Sequence, residues 1–207
     1  MNLRVGLFKV NEQLNKKIRS ELREKRKSVK GELREIFSQK AALNALLYLN
    51  NLEKINSVGI FLSLNEEIDT SFLLNELKKK NLELFLPAVI FKNQAFIWRK
   101  YPKEGEKIEF EFDSLGIKTL KGENFFKNPD LIFTPLVAFN SKGQRLGMGG
   151  GYYDRTLKSK KSSPKTQKPF LCGLAYSFQL NEDFISYDWD IELDAIATEK
   201  EIFFISK

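Results

Sequence analysis

Apolar positions recur at three- and four-residue intervals through the first quarter of the chain. Leu14, Ile18 and Leu22, then Leu33, Ile36, Phe37 and Ala41, keep helical spacing between residues 11 and 50, a stretch rich in Glu, Lys, Leu and Ala and free of proline. The pattern predicts one or two amphipathic helices, with Gly31 as the break. The period then changes. Residues 57–63 form a short apolar run between polar neighbours, as a strand buried on both faces does. A helix is predicted over 70–80 and strands over 82–87, 94–99 and 130–135, the last ended by Pro135. Residues 101–127 are charged, glycine-punctuated and without clear period, and read as loops with at most a short strand. After Tyr152 a short helix is predicted to about Leu157, and strands return over 171–175, 195–198 and 201–205. Strands alternating with helices predict an α/β fold, a three-layer sandwich with a mostly parallel central sheet and helices on both faces, with an antiparallel pair at the carboxyl end.

Composition narrows the chemistry. The 207 residues are 42% hydrophobic, enough to bury a sizeable core in one domain spanning 1–207. Residues 1–13 are expected as a disordered extension. No apolar run reaches membrane-span length, and Arg4 and Lys9 interrupt the apolar start, so a cytoplasmic protein is expected. The single cysteine, Cys172, lies in an apolar run and is expected to be buried and inert. Histidine is absent, which excludes histidine-based triads, zinc sites of the deaminase and zincin types, and the usual neutral-pH proton shuttle.

The net charge is +7, concentrated between residues 16 and 30 and in a flexible basic loop at 159–168, a candidate lid. Such clusters favour an anionic partner, although each is also what a solvated helix face or loop looks like. Aromatic residues do not interleave with the basic runs as they would in a single-strand binding protein, so no nucleic acid partner is expected.

The densest signal is the segment from Arg145 to Arg155. Four of the twelve glycines, Gly147, Gly149, Gly150 and Gly151, fall immediately before the short predicted helix. Without side chains, successive backbone N–H groups can approach an anion closely, and the segment reads as a phosphate cradle. Arg145 offers a planar fork of donors at the loop entrance, and Asp154 is placed to meet magnesium on the same phosphates. The plainer alternatives are a turn that needs glycine for its backbone angles, and Tyr152 and Tyr153 as ordinary core aromatics. Neither GxxxxGK nor GxGxxG is present.

The same residues carry a resemblance. Arg145-Leu146-Gly147-Met148-Gly149-Gly150-Gly151-Tyr152-Tyr153-Asp154-Arg155 is similar to the RLGxGGGYYDR signature of the 5-formyltetrahydrofolate cyclo-ligases, also called 5,10-methenyltetrahydrofolate synthetases. Further landmarks follow in family order. Lys16-Lys17-Ile18-Arg19-Ser20-Glu21-Leu22-Arg23 resembles the basic first helix, and the run from Phe61 to Thr70 resembles the FLSxxxEIDT segment. Residues 130–135 resemble the strand before the glycine loop, and the run from Trp189 to Glu199 resembles the closing WDVPLDxIxTE.

The resemblance implies ATP-dependent ring closure of 5-formyltetrahydrofolate to 5,10-methenyltetrahydrofolate, with release of ADP and phosphate through a phosphorylated formyl intermediate. It implies an ATP site formed by Lys16, Lys17, Arg19, Arg145, Gly147, Met148, Gly149, Gly150, Gly151, Tyr152 and Tyr153. Leu62, Glu67, Met148 and Tyr152 are implied at the folate, and Asp154 and Asp190 at magnesium. No catalytic residue is assigned. The expected partners are the folate and ATP, the expected assembly a monomer or weak dimer, and no membrane association is expected. Three positions depart from the family pattern. Asn140 stands for the usual Asp, Gly116-Ile117-Lys118-Thr119-Leu120 for a GIPEP-like turn, and Asn15 for a lysine that Lys16 or Lys17 would replace. The alternative function is a phosphosugar- or CoA-handling enzyme on the same fold, since fold alone does not fix function.

Overall fold

The structure is a computed structural model that describes residues 2–162 and 167–205. Two long helices, α1 (Asn2–Ser28) and α2 (Gly31–Asn50), open the chain and meet at Val29 and Lys30. The predicted break at Gly31 is thus the first position of α2, where φ of 55° suits a residue without Cβ. Residues 2–13, anticipated as an extension, fall within α1.

The strands that follow are β1 (Ser57–Gly59), β2 (Glu83–Ala88), β3 (Ile97–Lys100), β4 (Phe110–Phe112), β5 (Lys118–Leu120), β6 (Asn124–Phe125) and β7 (Leu131–Pro135). β8 (Ala138–Phe139), β9 (Arg145–Leu146), β10 (Phe170–Leu174), β11 (Ala195–Ala197) and β12 (Ile202–Phe204) complete them. Helix α3 (Ser71–Lys78) lies between β1 and β2, and α4 (Tyr152–Thr156) between β9 and β10. The stretch 101–127, read as loops, holds three short strands. β4 and β5 form a separate hairpin and β6 pairs at the sheet edge, segments too short to impose a period on the sequence. The predicted strand over 57–63 is shorter than expected, because beyond Gly59 the chain turns toward the cleft described below.

Eight strands form the main sheet in the order β12-β11-β10-β7-β1-β2-β3-β6. The five central strands, β11 through β2, are parallel, and β12, β3 and β6 extend the edges antiparallel. Burial on both faces explains why the central strands read as continuous apolar runs: on β7, Leu131 and Phe133 join one core cluster and Ile132 the other. The first face is covered by Ala42, Ala45, Tyr48 and Leu49 of α2 with Leu73, Leu74 and Leu77 of α3. The second is covered by short α4, by Leu157, and by Phe139, Ile191 and Leu193, so connecting segments do much of the work of a helical layer there. Cys172 is buried, and burial pushes its thiol up, in keeping with an inert core residue.

From β1 the chain steps outward to β2 through α3, then returns to β7 on the other side of β1 and steps outward again through α4. In chain order the parallel strands are arranged 2-1-3-4-5. Connections leaving opposite ways from the centre open a crevice beyond the carboxyl ends of β1 and β7, where α/β sheets place their ligands. Helix α1 closes over this end through Ile18 and Leu22, packed on Val137, Ala138, Leu146 and Phe184. No helix among the described residues is long and apolar enough to cross a membrane.

Candidate active site

A cleft of about 1090 Å³ occupies that crevice. Its walls come from Phe61, Leu62 and Glu67 after β1, Pro87 and Val89 at the end of β2, and Pro135 and Leu136 at the end of β7. The run from Arg145 to Arg155, the α1 residues Glu12, Asn15 and Arg19, and the run from Tyr187 to Ile191 complete it. Segments more than 170 positions apart in sequence therefore meet at one cavity, and two ends of different character can be distinguished.

At one end stands Glu67, buried at 8% exposure. Its Oε2 accepts the N–H of Leu64 at 2.8 Å, while Oε1 lies 4.0 Å from Nη1 of Arg26. Burial raises its pKa, a shift that the Leu64 N–H and the Arg26 charge only partly offset. The adjacent Glu66 behaves oppositely. It accepts from Arg23 Nε at 2.8 Å and Arg26 Nη2 at 2.5 Å, and despite the opposing effect of burial those hydrogen bonds hold its carboxyl below the ordinary range. Arg26, 1% exposed, also donates to Leu136 O at 3.0 Å and lies 3.9 Å from the Met148 sulfur. One buried cation thus joins α1, the segment after β1, the end of β7 and the glycine loop. In the sequence, Arg26 is one member of the basic stretch between residues 16 and 30. Its one available signal was position: seven residues after Arg19, it shares that residue's helix face.

The glycine loop forms the other end. Gly149 and Gly151 adopt φ of 94° and 62°, the left-handed region in which a side chain is strained. Arginines hold the loop by its carbonyls: Arg19 Nε donates to Gly147 O at 2.9 Å and Arg155 Nη2 to Gly150 O at 2.6 Å. Helix α4, which follows, has only five residues, so its dipole adds little beside the backbone amides and arginines of the loop. Arg145 is 6% exposed, with Nη2 donating to Asp154 Oδ1 at 2.6 Å and the guanidinium 5.6 Å from the Tyr153 ring. Its Nε is buried without a hydrogen-bond partner among the described residues. Tyr153 packs edge-on to Phe96, and burial drives its hydroxyl pKa upward. Tyr152 borders the cleft with Arg155 4.8 Å from its ring centre.

Asp154 and Asp190 both line the cleft. Asp154 Oδ1 also accepts the N–H of Ile191 at 3.1 Å, and Asp190 Oδ2 accepts from Tyr187 N at 2.8 Å and Ser186 Oγ at 3.3 Å. Burial, reinforced by the Asp154 charge, raises the Asp190 pKa. No group of three or more acidic, histidine or cysteine side chains is placed to hold a metal among the described residues. Two neighbouring carboxylates, each with one oxygen engaged in these contacts, nevertheless suit magnesium, which binds one or two carboxylates and completes its shell with phosphate and water.

The first-helix expectation divides. Arg19 borders the cleft, whereas Lys16 and Lys17 are exposed and lie outside its lining, Lys17 being 3.9 Å from Glu21. Asn15 is the residue that faces inward. It is fully buried and exchanges two hydrogen bonds with the backbone of Ile185, so its side chain ties α1 to the segment after Phe184. At the second departure, Asn140 Oδ1 accepts the N–H groups of Lys142 and Gln144, an anchoring of the β8–β9 turn that Asp would also serve, while Nδ2 donates to Gln144 Oε1 at 2.8 Å, which Asp could not. The third departure lies in the β4–β5 hairpin, which brings Leu115, Ile117 and Lys118 to the cleft from the stretch without period. Of the basic loop 159–168, residues 163–166 lie outside the described residues, while Lys161 borders the cleft.

A mostly parallel α/β sheet with a deep cleft at its topological switch point, lined by a glycine loop, arginines and carboxylates, is the construction of an α/β enzyme. Comparison with known proteins defines which one. The model of the 5-formyltetrahydrofolate cyclo-ligase family matches residues 11–199. The 5-formyltetrahydrofolate cyclo-ligase of Escherichia coli K12 is 31% identical over 186 residues, covering 87% of this chain and 98% of that protein. That of Haemophilus influenzae is 30% identical, with 89% and 97% covered. The solved structure of Aquifex aeolicus 5,10-methenyltetrahydrofolate synthetase superposes with a TM-score of 0.75 at 31% identity, covering 94% of each chain. The chain belongs to the 5-formyltetrahydrofolate cyclo-ligase family, as its motifs implied.

Proposed function

We propose that this enzyme closes the one-carbon ring of 5-formyltetrahydrofolate at the expense of ATP and with magnesium, giving 5,10-methenyltetrahydrofolate, ADP and phosphate. The observation that carries the reading is the meeting of Glu67 and the glycine loop on one cleft. A carboxylate suited to a pterin and a cradle suited to phosphates are then within one cavity, as a reaction between the two substrates requires.

The formyl group on N5 is an amide, and its oxygen is a poor leaving group. Transfer of the γ-phosphate to that oxygen breaks the bond to ADP and forms an imidate phosphate. N10 then adds to the activated carbon, the C–O bond to phosphate breaks, N10 loses its proton, and the methenyl bridge remains. Phosphoryl transfer depends mainly on alignment and charge stabilisation, so a chain without histidine is equal to it. Arg19, Arg145 and the amides of residues 147–151 hold the phosphates. Asp154 and Asp190 would hold magnesium, which when bound neutralises phosphate charge. Glu67 accepts hydrogen bonds from the amino-pyrimidine edge of the pterin, which offset part of the cost of burying it, while Leu62, Met148 and Tyr152 enclose the ring.

The test is incubation with ATP, magnesium and 5-formyltetrahydrofolate, monitored for the long-wavelength absorbance of the methenyl product. Its appearance, dependent on both ATP and magnesium, is expected. Product formation without ATP, or none at all with folded protein, would overturn the proposal.

A further inference from the structure

Glu67 faces the cleft, and the cation beside it does not. Arg26 lies outside the cleft lining, at 1% exposure, with Nη1 4.0 Å from Glu67 Oε1. Its hydrogen bonds go to protein, from Nη2 to Glu66 Oε1 at 2.5 Å and from Nη1 to Leu136 O at 3.0 Å. A guanidinium so enclosed can act on a ligand only through the groups around it.

The charges at Glu67 come from several elements. Glu66 and Glu67 are adjacent carboxylates, and two arginines of α1 face them. Arg23 Nε also donates to Glu66 Oε1, at 2.8 Å, so Glu66 does not consume the Arg26 charge alone. From α2, Arg34 donates to Glu67 O at 3.0 Å, while its charge is met by Asp69 at 2.8 Å. After β10, Tyr176 OH donates to the same Glu67 carbonyl at 3.2 Å. Tyr153, on the cleft, is kept neutral by burial. Burial draws Glu67 toward its neutral form and the Glu66 charge adds to this, whereas Arg26, and after it Arg34, oppose them.

We propose that Arg26 is a positioning residue for the folate: it holds the Glu67 carboxylate ionised and in place, so that an acceptor meets the amino-pyrimidine edge. The assignment rests on the reading of Glu67 given above. A neutral carboxyl would turn an O–H donor toward the N–H donors of the pterin. Without the charge at position 26 the carboxyl takes up a proton more readily, and folate binding is lost from the acidic side first.

The test is equilibrium binding of 5-formyltetrahydrofolate, without ATP, from acidic to alkaline pH. Arg26→Gln keeps N–H donors but no charge, and should weaken binding about tenfold at the acidic end, a loss that shrinks as pH rises. Arg26→Lys, which keeps the charge, should recover most of it. Glu66→Gln removes the competing negative charge, and binding should persist to lower pH than in the unsubstituted enzyme; this variant decides the matter if Arg26→Gln does not fold. A loss in Arg26→Gln that is equal at every pH, or that Arg26→Lys shares in full, would overturn the proposal by making Arg26 framework alone. So would an unmoved pH dependence in Glu66→Gln. In either case poor folate binding by Glu67→Gln would leave Glu67 at the pterin. Normal folate binding by Glu67→Gln would remove that reading and this proposal together.

Discussion

The two ends of the cleft are built on different principles. At Glu67 the protein is closed: the carboxylate, Glu66 and Arg26 are buried or nearly so, with backbone groups holding Glu67 and Arg26, and Arg23 and Arg26 holding Glu66. At the glycine loop the protein is open, and its shape depends on long arginines grasping carbonyls at residues 147 and 150. A rigid site suits discrimination of a heterocycle by hydrogen bonding, because a mismatched ring leaves a buried acceptor unpaired. A cradle of amides and reorienting cations suits a triphosphate whose bonds change during the reaction. Arg26 is the element common to both ends, touching Glu66 on one side and approaching Met148 on the other.

That difference can be tested by substitution, beginning where the consequence is greatest. Arg26→Met removes the cation from a buried cluster, leaving Glu67 without its adjacent charge and Glu66 with Arg23 alone, so a loss of about 3 kcal/mol in unfolding free energy is expected by denaturant titration. A loss below about 0.5 kcal/mol, the size expected of an ordinary surface substitution, would deny Arg26 that function. Glu67→Gln keeps the shape but replaces an acceptor pair with a mixed group. Steady-state kinetics should show kcat/KM for the folate falling on the order of 100-fold, with ATP binding unchanged. An equal fall in ATP affinity would mean that the two ends are not separable.

Smaller effects belong to the open end. Arg145→Ala should raise the KM for ATP about tenfold, since one charge-assisted contact among several is lost. Arg145→Lys, which keeps the charge without the planar fork, should fall between. Indifference of ATP dependence to both changes would remove Arg145 from the cradle. Smallest of all, replacement of Lys16 and Lys17 by Ala should leave the KM for ATP within about twofold at moderate salt, where exposed charges are screened. A larger rise would show that these side chains reach the cleft when nucleotide is present.

Where a feature depends on contiguous residues, it could be read directly. The glycines, Arg145, Tyr152 and Asp154 form an unbroken run whose backbone freedom and charge are evident from residue types alone, and the cleft contains them all. The apolar runs of β7 and β10 likewise revealed strands. The stretch 101–127 resisted, because strands of two or three residues contribute no period, yet its hairpin supplies part of the cleft wall. Among the basic residues of α1, sequence could not separate Arg19 and Arg26 from Lys16 and Lys17. Charge was shared by all four, and orientation was decided by which helix face packs on β8 and β9.

By itself, the sequence determined the α/β alternation, the glycine-rich loop and the family, because each is written in local pattern or in consecutive residues. Only the tertiary structure decided that Arg26 is a buried link, that Asn15 faces inward while its lysine neighbours face water, and that Trp189 stacks on Tyr187 beside Glu12. Those outcomes arise from contacts between segments far apart in the chain. Which atoms a side chain meets there is fixed by how the sheet orders its strands and where α1 comes to rest across them, and no local propensity encodes that.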